Sequence, residues 1–305
     1  MARTTPSYAL AIQDPVSGRR VSVASNRNLV DNAWFTINQL GATEMPTNVS
    51  TPWIDRWRFQ SRSSASSTLT WTENGLVANV VSGTLQIQQR YAEPRLQDYK
   101  YYMVSCMTAD GDIYQVAMKA DGSPHWIGGG SNPYFNLTMT STRITLRCVP
   151  ASNDKVLRAL KIEDPALNAT GGTPGTSLAW DSAPDYTTEL LKCQRYMYVA
   201  QGDAPQTTLG LAVRFTTAGL YRIFVNMPVS MPQSPSVSLS PSTISNLRLI
   251  SIDGTATATG SIGTINAMSN TTAVVTATFP TSFTSPIAHA YLLNPAKMIF
   301  NAEDY

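Results

Sequence analysis

Alternation with a period of two is the feature that most limits what this chain can become. Leu69 and Trp71 alternate with Thr, Leu85 and Ile87 alternate with Gln, and Ile144, Leu146 and Cys148 alternate with Thr and Arg. Successive side chains of a strand point to opposite faces, so each of these runs has one dry side and one wet side. Lys100–Met107 and Asp112–Lys119 flank Ala109-Asp-Gly111, a hairpin turn signal. Before residue 200 no helical stripe of useful length appears, apart from a turn opening at Asp185. The expectation is an antiparallel, all-β chain whose sheets are each wet on one face.

The second half repeats the pattern, with Leu209, Leu211, Val213 and Phe215 on one side of a strand. Shorter strands are expected at Leu220–Met227, Val237–Leu239, Leu247–Ile252, Ala273–Phe279 and Ile287–Leu292. Pro228, Pro232, Pro235, Pro241, Pro280 and Pro286 separate several of them, as suits edges and turns. Gly171-Gly-Thr-Pro-Gly175 to Pro184 has linker composition. Beyond it, Asp185 can cap a short helix in which Leu190 and Cys193 share a face. Arg195-Tyr-Met-Tyr-Val199 then has the aromatic and branched content of a strand. The expected architecture is two antiparallel β-sandwich, jelly-roll-like domains, at 26–184 and 185–305. Residues 1–25 precede them as a short extended arm, with a turn at Asp14-Pro-Val-Ser-Gly18 between Tyr8–Gln13 and Arg20–Ala24. Such an arm is too small to fold alone and must dock on something.

Composition narrows the partners. Of the 305 residues 43% are hydrophobic, enough for a real core in each domain, but only 14% are charged. Ser, Thr, Asn and Gln replace the missing charges, which suits neutral polar contact. The net charge of +2 comes without a Lys/Arg cluster, so a nucleic-acid partner is not expected. No apolar run reaches the length of a membrane span, and no apolar segment follows Met-Ala-Arg-Thr-Thr to make a signal peptide. Synthesis and assembly in a cytoplasm are expected. Three cysteines, Cys106, Cys148 and Cys193, have no metal-like spacing and sit in apolar runs as small buried hydrophobes.

Trp34, Phe35, Trp53, Trp57 and Phe59 commit a large apolar area to burial, with Asp55 and Arg56 placed between the rings as a potential ion pair at a core edge. Several of these residues belong to phrases that resemble a modular family of bacteriophage virion proteins. Asn28-Leu-Val-Asp-Asn32 with Trp34-Phe35, then Asn38-Gln-Leu-Gly41, then Asp55-Arg-Trp57 are similar to the opening of a carbohydrate-binding-type jelly roll of phage tail and minor structural proteins. Gln86-Ile-Gln-Gln-Arg90 before Pro94 is similar too. Glu189-Leu-Leu-Lys-Cys-Gln-Arg-Tyr196 resembles the closing phrase, and Pro228-Val-Ser-Met-Pro-Gln-Ser-Pro235 resembles a run in the small β domain that follows it. The family often has Arg after Asn-Gln, where this chain has Leu40. The resemblance implies a virion component, a tail-fibre or receptor-binding subunit, with trimeric assembly. A capsid decoration or head-fibre protein is the alternative. Residues 1–25 would then hold the chain to other virion proteins.

No catalytic constellation stands out. His125 and His289 are the only histidines, too few for a His-based metal site, and neither sits in a nucleophile phrase. Glu93 with Asp98, or Asp110 with Asp112, could form a glycosidase pair, but both pairs lie in turn-like contexts. No enzyme activity, cofactor or metal is expected. Sugar binding asks instead for an exposed aromatic face beside neutral hydrogen-bonding groups. Pro124-His-Trp-Ile-Gly-Gly-Gly-Ser-Asn-Pro-Tyr-Phe135 fits best, with Trp126 and Tyr134 as a glycan platform flanked by His125 and Asn132. Gly128 to Gly130 would allow close approach of a ligand or a neighbouring subunit.

Overall fold

The computed structural model describes residues 11–13, 20–22, 28–48, 51–91, 93–128, 134–153, 155–164, 178, 184–201, 206–240, 247–267 and 269–302. The chain divides into two compact units, Met1–Tyr186 and Thr187–Tyr305. Strands dominate both, and the described residues include one α-helix. Of the arm, β1 (Ala11–Gln13) pairs antiparallel with β2 (Arg20–Ser22), a hairpin whose intervening residues lie outside the description.

The first unit is a sandwich of two antiparallel sheets. One has six strands in the spatial order β10 (Pro124–Ile127), β11 (Phe135–Thr140), β12 (Arg143–Cys148), β7 (Leu85–Arg90), β4 (Trp57–Arg62) and β3 (Pro52–Ile54). The other has five, β5 (Thr68–Thr72), β6 (Gly75–Asn79), β13 (Val156–Glu163), β8 (Tyr101–Thr108) and β9 (Ile113–Lys119). The dry sides predicted by the alternation meet in one core: Leu85, Ile87, Ile144 and Leu146 from the first sheet pack with Leu69, Val104, Leu160 and Ile162 from the second. The Ala109–Gly111 turn joins β8 to β9, where Gly111 adopts φ +88° and its N–H donates to Thr108 O.

The Asn-rich opening phrase has a structural task. Asn28 donates to Leu160 O (2.9 Å) and accepts from Ile162 N (3.1 Å), which ties the chain alongside β13. Asn32, fully buried, donates to Ile37 O and Asp55 O and accepts from Ile37 N. Each of these bonds satisfies a backbone group that burial would otherwise leave unpaired. Trp53 and Trp57 are fully buried, and Trp57 packs on Phe35 at 5.5 Å between ring centroids. Arg56 forms its salt bridge with Asp31 (3.0 Å), while Asp55 accepts from the Gln39 backbone N–H (2.7 Å). Arg95 also reaches Asp31 (2.6 Å), and Tyr91 lies under both guanidinium groups. Burial pushes the Asp31 carboxyl up, but Arg56 and Arg95 outweigh it and hold the group below the usual carboxylate range.

In the second unit α1 (Tyr186–Gln194) feeds β14 (Met197–Gln201), with Glu189 and Cys193 buried on the helix. A three-stranded sheet sets β22 (Lys297–Asn301) between β14 and β17 (Ser236–Ser240). The remaining strands close on themselves: β15 (Gln206–Arg214), β16 (Leu220–Asn226), β20 (Thr272–Thr278), β19 (Thr257–Ala267), β18 (Leu247–Ser251) and β21 (Ile287–Leu293), which returns to β15. The all-β class expected here holds, and barrel closure is the finer description. Small inward residues make a narrow interior possible: Ala212, Ala273, Ala277, Ala288 and Ala290 are all fully buried around Tyr221.

One expectation changes face. Leu209 is buried, but Leu211, Val213 and Phe215 are 47%, 40% and 51% exposed. The register against β21 shifts between Thr208 and Gly210, and an extra residue in a strand flips everything beyond it to the opposite face. At Gly210 (φ +153°) a Cβ would stand 2.0 Å from Phe224 O, so the bulge needs glycine there.

Candidate functional site

The outward positions of the six-stranded sheet form a continuous polar surface. The strand registers set Trp126, Asn136, Arg147 and Gln86 side by side across four strands. The next row along is Pro124, Thr138, Thr145, Gln88 and Arg58, and beyond it Thr140, Arg143 and Arg90. A shift between Phe59 and Ser61 on β4 turns Gln60 toward the same concavity.

The centre of this face is a depression of about 150 Å³. Gln60, Gln86 and Gln88 line it with amides, Thr138 and Thr145 with hydroxyls, Arg143 and Arg147 with guanidinium groups. With its amide oriented to satisfy both ends, Gln88 donates to Gln60 Oε1 (3.0 Å) and accepts from Arg90 Nε (3.3 Å). Beside the depression, Asn136 is fully buried with neither amide atom hydrogen-bonded, and Arg147 Nε is buried without a partner. An unsatisfied buried polar group costs about 1–3 kcal/mol.

Trp126 stands at the β10 end of the first row, 48% exposed. Tyr134 takes a different position: its ring meets Tyr114 edge-on at 5.3 Å, and Lys155 Nζ lies 5.2 Å from its centroid. A Cβ on Gly128 would come within 2.7 Å of Tyr134 Cδ2, so the space left open by this glycine is filled by Tyr134. His125 is half-buried opposite Leu137, with Nε2 enclosed and unpartnered. Asn132 lies outside the described residues. Leu40, at the family's Arg position, is half-buried.

The acidic residues considered for hydrolysis have local roles. Asp112 accepts from Tyr114 Oη (3.2 Å) and lies 3.7 Å from Lys155 Nζ. Asp98 accepts from the Ser141 backbone N–H at 3.0 Å. Among the described residues no three His, Cys, Asp or Glu side chains gather in a metal-sized group, and no helix is long and apolar enough to cross a membrane. The depression itself escaped the sequence reading, although its signal was present. Gln86, Gln88, Thr145 and Arg147 are the wet half of alternations already recognised, but nothing local says that β7 and β12 are neighbours.

No protein-family model matches the chain, and no curated protein matches it. Among solved structures, three mutants of Bacillus subtilis oxalate decarboxylase OxdC are recovered at 9–10% identity, with TM-scores of 0.17, 0.11 and 0.12. They cover 78–79% of this chain and 76% of each of those. Superpositions at that level carry no argument about fold or function.

Proposed function

We propose that this protein is a bacteriophage virion component, a tail-fibre or receptor-binding subunit that adheres to glycan on the host surface. The observation that carries the reading is the outer face of the six-stranded sheet, where amides, hydroxyls and guanidinium groups line a depression and the exposed Trp126 stands two strands away in the row of Arg147. Saccharides are held by neutral hydrogen bonds and by stacking on exposed rings, and this face offers both. The motif resemblance supports the virion assignment. Adhesion proceeds without bond cleavage, so polysaccharide incubated with the purified protein keeps its chain length.

The second unit supplies the assembly surface of this reading. Leu211 stands opposite Phe224, and Val213 opposite Ile287, so the exposed apolar side chains of three strands are contiguous. Sister subunits of a trimer would cover this face, as large exposed apolar patches are rarely left to water. The arm's hairpin would dock the subunit on other virion proteins.

Glycan-array binding tests the adhesive reading. Trp126→Ala should weaken binding by about tenfold, the loss of roughly one aromatic stacking contact of 1–1.5 kcal/mol. Binding left unchanged by Trp126→Ala and by Gln88→Ala would remove this face from the function.

A further inference from the structure

The charge on the outer face is one-sided. Strands β3, β4, β7, β10, β11 and β12 contain no Asp or Glu, yet Arg58, Arg90, Arg143 and Arg147 occupy its outward positions. Arg90 and Arg143 stand directly opposite one another in the β7–β12 register, a like-charge pairing that costs stability. Burial first, then the nearby Arg58 and Arg143, push the Arg90 guanidinium below its ordinary value. Neither Arg143 nor Arg147 has an ion-pair partner among the described residues. The unpartnered buried Nε of Arg147 and amide of Asn136 are neighbours in the first row. A neutral sugar does not call for the guanidinium groups of Arg143 and Arg147, whereas an acid group suits them, because guanidinium receives carboxylate and phosphate oxygens in pairs, and a saccharide hydroxyl can donate to the Asn136 amide oxygen.

We propose that the ligand of this face is an anionic saccharide, its acid groups received by Arg143 and Arg147 and its hydroxyls by the glutamine and threonine side chains between them. The inference rests on the glycan-adhesion reading and specifies its chemical class. Arg143 and Arg147 lie four residues apart on one strand, roughly 13 Å at the usual rise. That separation suits a polymer with recurring charge, whether uronate carboxylates or backbone phosphodiesters.

Isothermal titration of the intact protein with oligogalacturonate, with a glycerol-phosphate oligomer and with neutral maltoheptaose decides the matter. The expected result is that one acidic polymer binds at least about tenfold more tightly than maltoheptaose at low salt and weakens as salt screens the contact. Whichever binds identifies the source of charge. The double variant Arg143→Gln, Arg147→Gln should lose that preference while retaining its circular dichroism and unfolding midpoint. Equal binding of maltoheptaose, or acidic binding indifferent to the double variant, overturns the anionic assignment and leaves glycan adhesion standing. A blank glycan array together with no binding of any of the three polymers overturns both.

Discussion

Asp31 is where a single residue most clearly governs the first unit. Its carboxylate is nearly buried and receives Arg56, itself fully buried, and Arg95. Replacing it by Asn removes the carboxylate charge that Arg56 and Arg95 both reach, and Asp31→Asn should cost about 3–5 kcal/mol in urea unfolding at pH 7. The pH dependence follows from the lowered carboxyl. A group with a depressed folded pKa contributes fully above its unfolded value of about 3.9, and the contribution disappears as pH falls through the lower folded value. The stability gap between parent and Asp31→Asn should therefore narrow below about pH 4. A gap constant from pH 7 to pH 3 would contradict it. This network was only half legible in the sequence. Asp55 and Arg56 advertised a charge at a core edge, but the partner that Arg56 finds, Asp31, comes from a distant turn of the opening phrase.

At the scale of elements, the bulge in β15 decides which side of a strand is dry. Gly210 has no room for a Cβ against Phe224 O. Gly210→Ala should destabilise the chain by more than about 1 kcal/mol, because Ala brings both a backbone clash and an unfavourable φ. Thermal unfolding of the variant checks this, and an unshifted midpoint would argue against the bulge. The same bulge turns Leu211 and Val213 outward next to Phe224 and Ile287. Were sister subunits to cover this face, as proposed above, Leu211→Asp with Phe224→Asp should yield monomer in light scattering while circular dichroism is unchanged. An unaltered mass in the double variant would place the assembly contact elsewhere. One strand absent from the expectation shows why local pattern falls short. β19 is rich in Thr, Gly and Ser, and its place in the barrel comes from pairing with β18 and β20 rather than from apolar alternation.

For the whole molecule, the two clusters of buried side chains are separate: one spans Val30 to Ile162, the other Ala200 to Ala302. Calorimetry should resolve two transitions, with Asp31→Asn lowering one and Gly210→Ala the other. A single transition moved equally by both variants would mean that the units unfold as one cooperative body. Period-two alternation, a property of the extended backbone itself, was enough to determine the all-β class and, in the first unit, the dry faces of β7 and β12 and the polar content of their wet ones. It could not say which strands lie side by side, since pairing joins segments far apart in the chain. The tertiary structure alone set β7 beside β12, so that Gln86, Gln88, Thr145 and Arg147 share one depression. It also closed the second sheet into a barrel, and one inserted residue reversed the faces of β15, which no local pattern of side chains records.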